Sequence, residues 1–185
     1  PDTEYIPEPH IHAITSKINL TNTDSYNNLL RTTTEAMSAI LGGCDILSIH
    51  PYDANAEHPD SKAERLALNI QHLLRYESGF DAYRQIADGA YYIESLTTTI
   101  AEKAWKHFLE ITEAGGFVVC LEKGIISNEI YSAREKVIRA FNSGKNKIIG
   151  VNAYGKKSEE LENKPYAIPE ASTPIRPIVP FRLNT

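Results

Sequence analysis

The stretch from Asn27 to Asp53, NNLLRTTTEAMSAILGGCDILSIHPYD, constrains the fold more than any other part of the chain. Its first half has Tyr26, Leu29/Leu30, Thr33, Met37 and Ile40/Leu41 at three- and four-residue steps, the spacing of one buried helical face. Asp24 or Ser25 can cap the start, and Gly42-Gly43 offers the left-handed residue that closes many helices. The run Asp45-Ile46-Leu47-Ser48-Ile49 follows at once, apolar and β-branched, and predicts a strand buried on both faces. His50-Pro51-Tyr52-Asp53 leaves that strand as a polar loop. A helix feeding a buried strand, with polar groups at the strand's carboxyl end, is the unit of a parallel α/β barrel.

The rest of the chain fits that unit. Residues 1–9 hold three prolines and no periodicity, and read as an extended lead-in. His10–Ile14 predicts a strand and Thr15–Thr23 its loop. Ser61 and Glu64 have capping-box spacing and open a helix with Ala63, Leu66/Ala67, Ile70 and Leu73/Leu74 on one face, ending near Gly79. A third strand is expected at Tyr83–Ala87, and Asp88-Gly89 turns the chain. A long helix follows from about Ile93 to Glu113, with Ile93, Leu96, Ile100, Ala104, Phe108 and Ile111 on its apolar face. Shorter helices are expected near Val118–Lys123 and Ser127–Phe141, then a last extended segment at Ile148–Asn152. From Ser158, repeated prolines interrupt any helix or central strand, so 158–185 reads as an extended tail or linker.

Several function classes are excluded by composition. The formal net charge is −5 with no Lys/Arg cluster, which argues against a nucleic-acid surface. No apolar run approaches the ~20 residues that span a bilayer. Nor does the amino terminus resemble a secretory signal. Cys44 and Cys120 form no spaced framework and read as reduced thiols of a cytoplasmic protein.

Taken together, Asn27-Asn28-x-x-Arg31-Thr32-Thr33-x-Glu35-Ala36-Met37, Leu41-Gly42-Gly43 and the strand ending in Tyr52-Asp53 resemble the barrel domain of the methylmalonyl-CoA mutase family. Six more blocks agree in order: Leu20-Thr21, Glu77-Ser78-Gly79, Tyr91-Tyr92-Ile93-Glu94-Ser95-Leu96-Thr97, Ala101–Trp105, Glu122-Lys123-Gly124-Ile125 and Ile149-Gly150-Val151-Asn152. A complete barrel takes about 250 residues and this chain has 185, so the resemblance implies a piece: roughly the last three βα units of a TIM (β/α)8-type barrel over 10–157, with extra C-terminal helices and the Pro-rich tail. It also implies an acyl-CoA substrate and a radical rearrangement started by adenosylcobalamin, the cofactor carrying the hard chemistry.

The strand-end positions depart from the active pattern of the family. Where catalytic members carry Arg-x-His-x-Gln-Thr-Ser-Gly, this chain has His10, Ile11, His12, Ala13, Ile14, Thr15, Ser16 and Lys17. The arginine that pairs with CoA phosphate is thus His10, which lacks the bidentate fork, and the glutamine is Ile14. Leu-His-Thr-Asn becomes Leu47-Ser48-Ile49-His50, with Asp53 just beyond. Asp-Pro-x-Gly-Gly-Ser becomes Gln85 to Ala90, with Gly89 retained, and the cobalamin-ligating Asp-x-His-x-x-Gly is absent. Intact packing blocks beside a degraded pocket resemble the small, non-catalytic subunit of heterodimeric mutases. That resemblance implies no catalytic residue and no cofactor on this chain, a large catalytic partner subunit that holds adenosylcobalamin, the missing half of its own barrel as a further partner, and self-association of the isolated chain.

Plainer readings stand beside these. Arg31 and Glu35, one helical turn apart, can be a structural ion pair. Tyr91-Tyr92 reads as packing at a helix start, and Cys44 as a small buried apolar residue. One rival is a catalytically competent mutase chain. The other is a metal-dependent barrel hydrolase, with His10 and His12 on one strand face and Asp53 as a carboxylate ligand.

Overall fold

The computed structural model describes residues 9–83, 86–155 and 178–181. The chain divides between Ala87 and Asp88 into two compact units, with the described tail residues 178–181 in the second. No helix among the described residues is long and apolar enough to cross a membrane.

In the first unit, strand β1 (His12–Ile14) pairs in parallel with β2 (Ile46–Ser48), with His12 opposite Ile46, Ala13 opposite Leu47 and Ile14 opposite Ser48. Helix α1 (Asn27–Leu41) connects them. Asp45 squares the sheet's lower end by accepting the Ile11 N–H on Oδ2 at 2.9 Å, while its own N–H donates to Ile11 O. At the end of α1 the left-handed residue is Gly43, at φ 77°. The start differs from expectation. Tyr26 is the cap residue and its side chain makes no capping bond, while Asp24 and Ser25 accept the Asn27 and Asn28 N–H groups through their backbone carbonyls.

The deepest face of α1 is also shifted from the expected stripe. Asn28, Thr32 and Ala36 are fully buried, whereas Tyr26 and Leu30 are exposed. Small residues at four-residue steps let the backbone approach its neighbours closely, and the larger side chains flank that contact. The apolar core of this unit gathers Ala36, Ile70 and Leu74, with Leu29, Met37, Ile40, Leu47, Ile49 and Phe80 packed around them.

Helix α2 (Ser61–His72) buries Ala63, Ala67 and Ile70 and runs into a π-helical turn over Leu73–Glu77, which buries Leu74. Leu66 and Leu73, expected on the buried face, are exposed. The cap is Asp60, whose side chain accepts the Lys62 N–H at 3.0 Å, and not Ser61. Either residue suits the position; Asp60 has the extended backbone that turns its carboxylate back onto the helix. The third strand expected at Tyr83–Ala87 is not formed: Phe80–Tyr83 is a 3-10 turn and Ile86–Gly89 is a turn, with 84 and 85 outside the described residues.

Only one face of this sheet is covered. Leu47 faces the helical core. Across the register, His12, Ile14, Ile46 and Ser48 share the other face, where Ile14 is 56% and Ile46 55% exposed. The strand expected to be buried on both faces is therefore buried on one. A parallel sheet ordinarily has both faces covered, so the chain leaves one half of that arrangement unfilled.

The second unit contains α3 (Tyr91–Glu113), α4 (Phe117–Glu122) and α5 (Ile125–Asn142). Gly115 and Gly116, at φ 112° and 87°, end α3. Cys120 is fully buried and reaches Ile111 O at 3.6 Å, and His107 Nε2 lies 3.3 Å from a Glu129 carboxylate oxygen, tying α3 to α5. No residue of α3 is buried, and Tyr91 and Tyr92 are 88% and 73% exposed, so neither packs at the helix start as expected. In place of a last strand, Ile148–Asn152 forms a turn held by Asn152, whose Oδ1 accepts the Ile148 N–H at 2.7 Å.

Because a side-chain cap satisfies an otherwise orphaned N–H, Asp60→Ala is expected to cost about 1 kcal/mol of stability. Ser61→Ala should stay within roughly 0.5 kcal/mol. Urea unfolding followed by far-UV circular dichroism separates them; equal losses would restore the capping-box reading.

Candidate functional site

The loops leaving the carboxyl ends of β1 and β2 are where a barrel places its chemistry. Here they form a buried polar assembly. Thr15, Thr21, Asn22, Ser25, Asn28, Asp53 and Asn55 all lie beneath the surface. Such groups are stable there only when hydrogen-bonded.

Asn28, fully buried in the first turn of α1, joins the two loops. Its Oδ1 accepts the Thr21 N–H at 3.0 Å and Arg31 Nη1 at 2.6 Å. Its Nδ2 donates to Thr21 O at 2.8 Å and Tyr52 O at 2.6 Å. Asn55 works in the reverse direction, donating from the second loop to Lys17 O and Leu20 O of the first at 3.0 and 3.1 Å. Thr15 Oγ1 accepts the His50 N–H at 2.8 Å. Glu35 gives both oxygens to the first loop, to Ser16 N at 2.8 Å and Asn19 Nδ2 at 2.7 Å.

Arg31 and Glu35, expected as an ion pair, both belong to a wider network. Arg31 donates to Asn28 and Thr21, while Asp24 and Glu35 supply negative charge that opposes the cost of its burial. Burial and the nearby Lys17 push the His50 imidazole below its ordinary pKa, with Glu35 opposing. Burial and a hydrogen bond with Tyr26 push the Tyr52 phenol upward, and the two rings lie 5.1 Å apart.

The structure brings only some of the sequence-selected residues together. His12 Nε2 and Ser48 Oγ are 2.8 Å apart, so two side chains that would face a ligand satisfy each other. Ile14 stands beside them. His10 lies at the opposite end of β1, exposed, with Nδ1 3.8 Å from Asp45. A carboxylate so close disfavours phosphate there. Asp53 is buried, its Oδ2 accepting the Asp60 N–H at 2.6 Å and its Oδ1 left without a hydrogen-bond partner among the described residues. Gly89, in the second unit, holds φ 76° and donates its N–H to Glu94. Gln85 falls outside the described residues.

The metal-hydrolase rival loses its geometry here. His10 turns to Asp45, His12 to Ser48 and Asp53 to the Asp60 backbone. Among the described residues no three His, Cys, Asp or Glu side chains converge on a metal position.

Two clefts border the sheet. One of about 330 Å³ lies along β1 and α1, between Ile14, Ser16, Asn19, Glu35 and Leu47. A larger one of about 450 Å³ opens at the amino end of β2, where Cys44, Asp45, His72, Arg75, Tyr76 and Phe80 meet. Cys44, expected to be buried, is half-buried in its wall. Asn28 stands in the first block of the resemblance but gains no role there, and Asn55 does not stand out in the sequence, because neither belongs to a periodic pattern.

A profile of the family described as methylmalonyl-CoA mutase matches residues 8–175. The methylmalonyl-CoA mutase small subunit of Porphyromonas gingivalis is 37% identical over 84% of this chain and 25% of its own length. The large subunit of Propionibacterium freudenreichii subsp. shermanii is 36% identical over 83% of this chain and 20% of its own. For the mitochondrial mutase of Bos taurus the figures are 37%, 80% and 20%. The chain belongs to the methylmalonyl-CoA mutase family. It spans between a fifth and a quarter of the length of these relatives.

Losing the Asn28 side chain strands the Thr21 and Tyr52 carbonyls and the Thr21 N–H. At roughly 1–3 kcal/mol per buried unsatisfied group, Asn28→Ala should cost about 3 kcal/mol or more in denaturant unfolding. A loss below about 1 kcal/mol would show that the loops do not depend on it. The His50 shift has a definite sign. The unfolded imidazole takes up protons more readily, so stability is unpenalised above pH 6.5 and falls as pH drops below it. His50→Gln should flatten that fall between pH 7 and 5; an unchanged profile would contradict it.

Proposed function

We propose that the chain is part of the small, non-catalytic subunit of a methylmalonyl-CoA mutase, serving structure and assembly beside a large subunit that isomerises methylmalonyl-CoA and succinyl-CoA. In this reading residues 10–157 form the carboxyl-terminal part of a (β/α)8-type barrel and 158–185 a tail or linker. The observation that carries it is the uncovered sheet face. It has the parallel strands and one-sided covering of an unfinished barrel, and its polar groups, His12 and Ser48, are turned to each other.

The residues at the strand ends fit an acyl-CoA phosphate poorly. His12 Nε2 is taken up by Ser48, His10 sits beside a carboxylate, and Ile14 and Ser48 stand where the resembling active pattern has glutamine and histidine. Cofactor and substrate would then be held by the partner subunit. Cys44 and Cys120 as thiols outside any disulfide suit a cytoplasmic location. The competing reading, a piece of a competent mutase chain, draws on the near-equal identity to a large subunit.

Calorimetric titration of the chain with methylmalonyl-CoA and with adenosylcobalamin tests the proposal. No dissociation constant at or below the micromolar range is expected for either, together with co-purification of a co-expressed large mutase subunit. Micromolar binding of either ligand would favour the competent-chain reading, and failure to co-purify would remove the small-subunit role.

A further inference from the structure

Residues Ile178–Phe181 lie in the second unit with α5, and Arg134 links the two. Arg134, at mid-helix and half-buried, donates from Nη1 to Val179 O at 3.4 Å. Its guanidinium carbon also lies 4.6 Å from the centroid of the Phe181 ring. Exposure alternates along the segment: Val179 and Phe181 are half-buried, while Ile178 and Pro180 are exposed. That is the period of an extended chain with one face against a surface.

The chemistry suits this arrangement. A planar guanidinium can stack on an aromatic face and still donate in its own plane, which a lysine ammonium cannot reproduce. Pro180 has no N–H to leave unpaired, so the segment can lie on a helix without a sheet ladder. The half-buried positions Tyr131, Arg134 and Ile138 recur along α5 at helical spacing, so Arg134 belongs to a continuous stripe of that helix.

We propose that α5 carries a recognition site for a short extended segment of the form apolar-x-aromatic, built on Arg134, and that the chain's own Val179–Phe181 occupies it in cis. The two contacts of this occupant are small ones. Such a contact is populated because it is intramolecular, where tethering holds the segment at ~millimolar effective concentration. Its consequence is local: Val179–Phe181 is held along α5. The inference rests on α5 and the tail alone, so it is independent of which mutase subunit the chain comes from.

Two measurements on the full chain test it. In the first, chymotrypsin cleavage after Phe181 is compared with cleavage at the exposed pair Tyr91-Tyr92. Arg134→Met should raise the Phe181 rate roughly two- to fivefold, the worth of one exposed cation–π contact, and leave the Tyr91-Tyr92 rate unchanged. Arg134→Lys should fall between. An unchanged Phe181 rate overturns the proposal. The second measurement needs no change at α5: the Arg134 side-chain proton resonances should be shifted upfield by the Phe181 ring and return on Phe181→Leu. Absence of that shift overturns the proposal, and a shift that grows with protein concentration would make the occupant a second copy, overturning the assignment in cis.

Discussion

The first unit depends on one buried amide. Asn28 satisfies four polar partners with a single side chain and sits where α1 begins, so it fixes the helix, the loop after β1 and the loop after β2 in one arrangement. Two three-residue strands supply little ladder bonding by themselves. What keeps them in register is the polar bracing at their carboxyl ends, with Asn55, Thr15 and Glu35 adding cross-links of the same kind. At the other end Asp45 closes the pair.

That bracing bears on function. In a barrel the strand-end loops ordinarily turn their polar groups toward a ligand. Here, Asp53 Oδ1 apart, the donors and acceptors described above are spent on one another, from the Asn28 hub to the His12–Ser48 pair. Such a network rigidifies a scaffold and leaves few groups free to recognise a substrate. In the proposed small-subunit reading, family membership and a non-catalytic site are compatible, with His10, Ile14 and Ser48 departing from the active pattern that the chain resembles.

Elements whose pattern is local were legible in the sequence. The span of α1, the left-handed Gly43, most of the buried face of α2, and the end of α3 at Glu113 all follow from helical spacing and backbone freedom. What was not legible depends on partners distant in sequence. Asn28 is one polar residue among many until Thr21 and Tyr52 arrive beside it. Asp60 and Ser61 are both good caps, and only the chain direction entering α2 chooses between them. The β-branched run at 45–49 correctly marks a strand but not how many faces are covered. The Tyr83–Ala87 strand failed because its short apolar pattern was weak and a 3-10 turn takes its first residue.

The central claim of the proposal is that this two-stranded parallel sheet is one part of a larger parallel barrel. Ile14 and Ile46 on the open face, and the unburied apolar stripe of α3, are surfaces that water disfavours at about 25 cal/mol per Å². A free strand edge adds unpaired backbone groups that invite another chain. Sedimentation equilibrium at low micromolar concentration, run beside binding of an apolar fluorescent dye, measures this most directly. The account predicts concentration-dependent association together with dye binding. A well-folded monomer that binds no dye would contradict it.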